Sequence, residues 1–147
     1  MNACWWPSFK IFLFAYSIWL GHTQANAFCF EEAGQRYGVS PLLLKAIAQQ
    51  ESSLNPMAYN SNRNGSIDMG LMQINSRWLP LLNRHGVQTR DIWSPCTNEM
   101  VGAWILASNF ARMGYNIHAL GAYNSTQPEI QIKYAKQVLR RLENKNL

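Results

Sequence analysis

The stretch Ser40-Pro-Leu-Leu-Leu-Lys-Ala-Ile-Ala-Gln-Gln-Glu51-Ser52 carries its own start signal, and a stop follows soon after it. Ser40 is a favourable helix N-cap, and Pro41 suits the first helical position, where its missing N–H costs nothing. Leu43, Ala46, Ile47 and Ala48 then recur at helical spacing. Asn55-Pro56 blocks continuation, because a residue before proline is pushed out of the helical region. The pattern predicts a largely apolar helix to about Ser52, with Glu51 in its last turn. An anion there faces the negative end of the helix macrodipole. Apolar surroundings disfavour the charge further and raise the pKa. Both effects suit a general acid that keeps its proton near neutral pH. Taken alone, Glu-Ser is a weak signal, and an ordinary exposed glutamate fits it better.

Further helices are expected on either side. Cys29 to Tyr37 reads as a short helix ending at Gly38. Residues 57–68, rich in Asn, Ser and Gly, read as loops or a small hairpin around Asn64-Gly65. Ser76 to Arg84 reads as helical, with a stop near Gly86. Cys96 to Met113 places Val101, Trp104, Ile105, Ala107 and Ala111 at helical spacing before Gly114. Ile117 to Tyr123 is a short helix or turn. Pro128 to Glu143 is a last helix with Ile132, Ala135 and Leu139 on one face. The expected fold class is mainly α, with a minor β element.

Two more constellations carry chemistry. Asp68 precedes Gly70-Leu71-Met72-Gln73-Ile74-Asn75. Gly70 has the freedom to let backbone approach a ligand. Gln73 and Asn75 each offer a donor and an acceptor, as sugar hydroxyls and acetamido groups require. Asp68 is a second carboxylate that can face Glu51, and two carboxylates flanking one bond are the usual machinery of glycoside cleavage. A turn aspartate with a buried amide network fits the same residues. In Ala122-Tyr123-Asn124, a Tyr hydroxyl can bond a catalytic carboxyl and an Asn can hold substrate. A buried Tyr beside a turn-forming Asn is the plainer account.

The chain of 147 residues suits one domain, and with 48% apolar and 14% charged residues it suits a packed globule, not a disordered chain. Its beginning differs from the rest. Ile11 to Leu20 is an almost unbroken apolar run after Lys10, short of the roughly 20 residues a membrane span needs. Ala25-Asn26-Ala27 follows as a small-x-small cleavage site. Residues 1–27 therefore read as a secretory signal peptide and 28–147 as the mature domain, with an uncleaved anchor as the alternative. Export places the mature domain in the periplasm without a stable membrane span. Cys4 would leave with the signal, so Cys29 and Cys96 remain as a pair. In an exported protein they are expected as a disulfide, against two buried thiols. Two distant cysteines without CxxC or HxxxH spacing argue against a metal site. The formal charge of +5 suits approach to a polyanionic wall. The basic residues are scattered apart from Lys136, Arg140 and Arg141, and no groove-reading motif speaks for nucleic acid.

The order Glu51-Ser52, then Gly70-Leu-Met-Gln-Ile-Asn75, then Ala122-Tyr-Asn124 resembles the soluble lytic transglycosylase family, over most of the mature chain. The resemblance is nearest to the small exported members that accompany type III and type IV secretion, conjugation and pilus systems. They share the Cys29-Phe30 start and the later Pro95-Cys96. Residues 62–78 are also similar to the active-site region of chicken-type lysozymes. These likenesses imply a lysozyme-like α+β fold and a role for Glu51 as the acid and Asp68 as the second carboxylate. They also imply a cleft lined by Met72, Gln73, Asn75, Tyr123 and Asn124, with Ser52 orienting Glu51. The implied reaction breaks the β-1,4 bond between N-acetylmuramic acid and N-acetylglucosamine, closing a 1,6-anhydro ring without metal or cofactor. A muramidase using water and a non-catalytic wall-binding assembly factor are the rival readings. Many lytic transglycosylases lack an aspartate at the place of Asp68, which keeps simple hydrolysis open. Ser125-Thr126 departs from the Ala-Gly common in the family. The implied partners are glycan strands and the components of a secretion, conjugation or pilus machine, and the protein is taken as a monomer.

Overall fold

The computed structural model describes residues 28–143, so the signal read in residues 1–27 lies outside the described residues. Six α-helices and a small sheet follow one another in chain order. Helix α1 spans Phe30–Tyr37 and ends on Gly38 in the left-handed region, at φ 67°. Helix α2 spans Pro41–Ser52, and the Ser40 side chain accepts from the Leu43 amide at 3.4 Å, as an N-cap should. Strands β1 (Tyr59–Ser61), β2 (Ile67–Met69) and β3 (Ile74–Asn75) form an antiparallel sheet in the order β1-β2-β3. The hairpin expected at Asn64-Gly65 joins β1 to β2, with Asn64 Oδ1 accepting from the Ser66 amide and hydroxyl at 2.9 and 2.7 Å.

Helices α3 (Leu79–Arg84), α4 (Pro95–Met113), α5 (Ile117–Gly121) and α6 (Pro128–Glu143) complete the domain. Ser76–Trp78 is a 3-10 turn where continuous α-helix was expected. Pro80 has no N–H to give the Ser76 carbonyl, so the Leu79 amide takes that carbonyl and tightens the turn. A second 3-10 turn, Thr89–Trp93, precedes α4.

Helix α4 is the central element. Val101, Gly102, Ala103, Ile105 and Leu106 are all buried, while Ala111, expected on its apolar face, is exposed near the end. Leu44, Ile47 and Ala48 of α2, and Leu71, Met72 and Ile92, fill the same core at 0% exposure. The buried face of α6 is Gln131, Tyr134, Ala135 and Val138. Leu139, expected inside, is 40% exposed, so the true stripe lies about one position earlier than an aliphatic count suggests. Cys29 and Cys96 form the expected disulfide, with Cα atoms 5.1 Å apart. It ties the chain ahead of α1 to the first turn of α4, against which α1 packs. Among the described residues, no helix is long and apolar enough to cross a membrane.

Candidate active site

The α2 helix ends beside the sheet, and the cleft between them is bounded on the far side by the α5–α6 connection. The cleft has a volume of about 1010 Å³, and Glu51, Asp68, Gln73, Asn75, Tyr123 and Asn124 all line it.

Glu51 is partly buried in the last turn of α2. Its pKa is raised from 4.5 to about 7, with burial as the largest cause. The Tyr134 hydroxyl donates to Glu51 Oε1 at 2.5 Å and opposes that rise by favouring the anion. The charge of Asp68 adds to it. A carboxyl titrating near 7 keeps its proton far better at neutral pH than an ordinary glutamate and can still give it away, which is what a general acid must do.

Asp68 has a different environment. Strand pairing sets Asn60 opposite Asp68 and Asp68 opposite Asn75, so the three form one row across the sheet. Side chains alternate along a strand, so the neighbours Met69 and Ile74 point the other way and are 1% exposed in the core. Asp68 Oδ1 accepts from Asn75 Nδ2 at 2.6 Å, and Oδ2 accepts from Asn62 at 2.8 Å and Asn60 at 3.3 Å. Three amide donors stabilise a carboxylate in its charged form. The cleft thus pairs an acid whose pKa is raised by burial with a second carboxylate held by amide hydrogen bonds, an arrangement that suits acid–base chemistry with charge stabilisation.

Met72, expected at the cleft, is elsewhere, and Ser52, expected to orient Glu51, does so without touching its carboxyl. Met72 is fully buried: its amide donates to Asn98 Oδ1 at 2.7 Å and its carbonyl accepts from the Tyr123 hydroxyl at 3.0 Å. Ser52 points into the fold, donating to the Leu71 carbonyl at 2.7 Å and the Ala48 carbonyl at 3.2 Å. It fastens the end of α2 to the loop after β2 and so places Glu51 through the backbone. Tyr123 lines the cleft, but its hydroxyl serves Met72; the tyrosine bonded to Glu51 is Tyr134, whose ring lies 6.5 Å from that of Tyr123 at an interplanar angle of 13°. Gly70 is tight against the protein and not a ligand. At φ 76°, a Cβ on it would strike the Asn98 side chain.

Asn98 and Tyr134 were not anticipated. Asn98, 0% exposed in the first turn of α4, donates to the Met69 and Ile92 carbonyls at 2.9 Å each while accepting from Met72. It fastens the sheet to the core. An asparagine after Pro95-Cys96 carries no signal of that reach. Tyr134 was legible only as an aromatic at i−1 from Ala135 on a helix expected to bury one face. The one group of possible metal donors among the described residues, Cys29, Glu32 and Cys96, has both sulfurs in the disulfide, so thiolate ligation is unavailable there.

Comparison with known proteins agrees with this geometry. Residues 28–144 match the transglycosylase SLT domain. The chain is 40% identical over 133 residues to the Invasion protein IagB of Salmonella typhimurium, covering 86% of this chain and 83% of that one. It is 37% identical over 135 residues to Protein IpgF of Shigella flexneri, covering 88% of each. It is 36% identical over 126 residues to a Peptidoglycan-binding-like protein of Escherichia coli, covering 78% of this chain and 75% of that one. A helical domain with a three-stranded sheet, an acid in a cleft beside that sheet and a match over nearly all described residues lead to one conclusion: the chain belongs to the transglycosylase SLT domain family.

Proposed function

We propose that the chain is an exported peptidoglycan lytic transglycosylase with Glu51 as its acid and base. The observation that carries this reading is Glu51 itself, with its pKa raised to about 7, bonded to Tyr134 in a cleft it shares with the amide-held Asp68 carboxyl. Glu51 protonates the glycosidic oxygen between N-acetylmuramic acid and N-acetylglucosamine, and that bond breaks. Asp68 faces the positive charge growing on the muramoyl ring, where preorganised charge is most effective. Glu51, now ionised, takes the proton of the muramoyl C6 hydroxyl, whose oxygen closes the 1,6-anhydro ring. The proton count balances, and the enzyme returns to its starting state. Asn124 meets sugar hydroxyls and acetamido groups, Gln73 offers them its Oε1 while its Nε2 donates to the Ala58 and Gly70 carbonyls, and Asn75 holds Asp68 in place. Cleavage at Ala27 would release the domain to the periplasm, and the IagB relative named as an invasion protein supports local wall opening for a secretion, conjugation or pilus apparatus.

The amide-held Asp68 favours one second reading, a muramidase in which water, not the C6 hydroxyl, traps the ring cation. Digestion of purified sacculi separates the two by product mass: anhydromuramoyl ends support the transglycosylase, and reducing muramic ends alone support the muramidase.

A further inference from the structure

The cleft holds one cationic side chain, that of Arg77. The residue is exposed in the turn after β3, and its amide donates to Asn75 Oδ1 at 3.0 Å. The same Asn75 holds Asp68 through its Nδ2 at 2.6 Å. A single asparagine therefore sets Arg77 relative to the acidic row. The guanidinium has no acidic partner among the described residues, where the one ion pair joins Arg90 to Asp91. Asp68 is engaged by three amides, and Glu51 is bonded to Tyr134. The rest of the polar lining consists of amides and hydroxyls, which match a neutral sugar chain. A neutral glycan offers a guanidinium only uncharged acceptors, whereas a carboxylate adds opposite charge and fits its fork with two parallel bonds.

We propose that Arg77 is a specificity contact that reads carboxylates hanging from the glycan, either the lactyl group of muramic acid or the peptide stem attached to it. This rests on the wall-cleaving reading above and deepens it. Arg77 would separate wall glycan from uncharged N-acetylglucosamine polymers, a distinction the amides cannot make.

The test is calorimetric binding in a Glu51→Gln background, which prevents turnover. The ligands are a stem-bearing wall tetrasaccharide, the same tetrasaccharide stripped to free lactyl carboxylates, and neutral chitotetraose. Arg77→Ala is expected to weaken binding of a carboxylate-bearing ligand by roughly five-fold at low salt. The loss should shrink at high salt, and chitotetraose binding should be unchanged. Arg77→Lys should fall between, since an ammonium keeps the charge but lacks the fork. Loss on the stem-bearing ligand alone assigns the stem; loss on the stripped ligand alone assigns the lactyl group. Equal loss on all three ligands, or none on either anionic one, overturns the proposal. Sacculus digestion by the Arg77 wild type runs alongside. Fragment release with unchanged ligand preference defeats the Arg77 inference alone, whereas no release and no binding of any ligand defeats the wall-cleaving reading and this one with it.

Discussion

The Tyr134 hydroxyl donates to Glu51 Oε1 at 2.5 Å, joining residues 83 positions apart. Burial lifts the Glu51 pKa to about 7, Tyr134 restrains that lift, and the negative charge of Asp68 adds to it. The pH at which activity is lost therefore reports on two neighbours that act in opposite directions. A general acid works while protonated, so the rate should fall as pH rises through about 7.

Tyr134→Phe removes a bond that favours the anion, so the Glu51 pKa should rise further. The alkaline limb of kcat/KM should move to higher pH by about one unit, since a hydrogen bond to a charged group is worth about 1.5–3 kcal/mol. The rate at low pH should drop as well, because the acid is less firmly aimed. A pH–rate profile with an unmoved limb would show that Tyr134 only packs.

Asp68→Asn should move the same limb the other way. Removing a like charge makes it easier to ionise Glu51, so its proton is lost at lower pH. The maximal rate should fall too, by less than in Glu51→Gln, because in the proposed mechanism Asp68 acts by charge and transfers no proton. A rate equal to wild type across the profile would remove Asp68 from the mechanism.

Asn98→Ala tests what holds the sheet in place. It strips partners from the Met72 amide and from the Met69 and Ile92 carbonyls in a fully buried setting. Each unsatisfied buried group costs about 1–3 kcal/mol, so a loss of roughly 3 kcal/mol or more is expected. Denaturant unfolding measures it, and a loss below about 1 kcal/mol would mean that the loop re-pairs elsewhere.

The Cys29–Cys96 bond spans 67 positions, for which chain entropy assigns about 4 kcal/mol. Replacing both cysteines by serine should lower the unfolding midpoint accordingly. Neither cysteine lines the cleft, so the folded double variant should still cleave wall at low temperature. Lost activity in a variant still folded by circular dichroism would tie the bond to the site itself.

The helices were legible where local chemistry decides them: the Ser40-Pro41 start, the Gly38 and Gly114 ends, the Asn64-Gly65 turn. Glu51 and Asp68 were legible as residue types at motif spacing. Their environments were not, because those depend on contacts between distant segments. Tyr134 reaches Glu51 from the last helix, and nothing near Glu51 in sequence announces it. Ser52 and Met72 sit inside motifs but face the core, since a motif residue can serve the backbone that carries the site. Leu139 misled because leucine marks an apolar face only on average, and here the amphipathic Tyr134 and the polar Gln131 take the inner stripe.

Mass spectrometry of the soluble fragments released from purified sacculi by wild type and by Glu51→Gln tests the central claim most directly. The amide keeps the size of the side chain but cannot deliver a proton, and general acid catalysis alone is worth about 10²–10⁴-fold. Wild type should release fragments ending in 1,6-anhydromuramic acid, and Glu51→Gln, with an unchanged melting profile, should release essentially none. Wild-type levels of anhydromuramoyl fragments from Glu51→Gln would contradict the account.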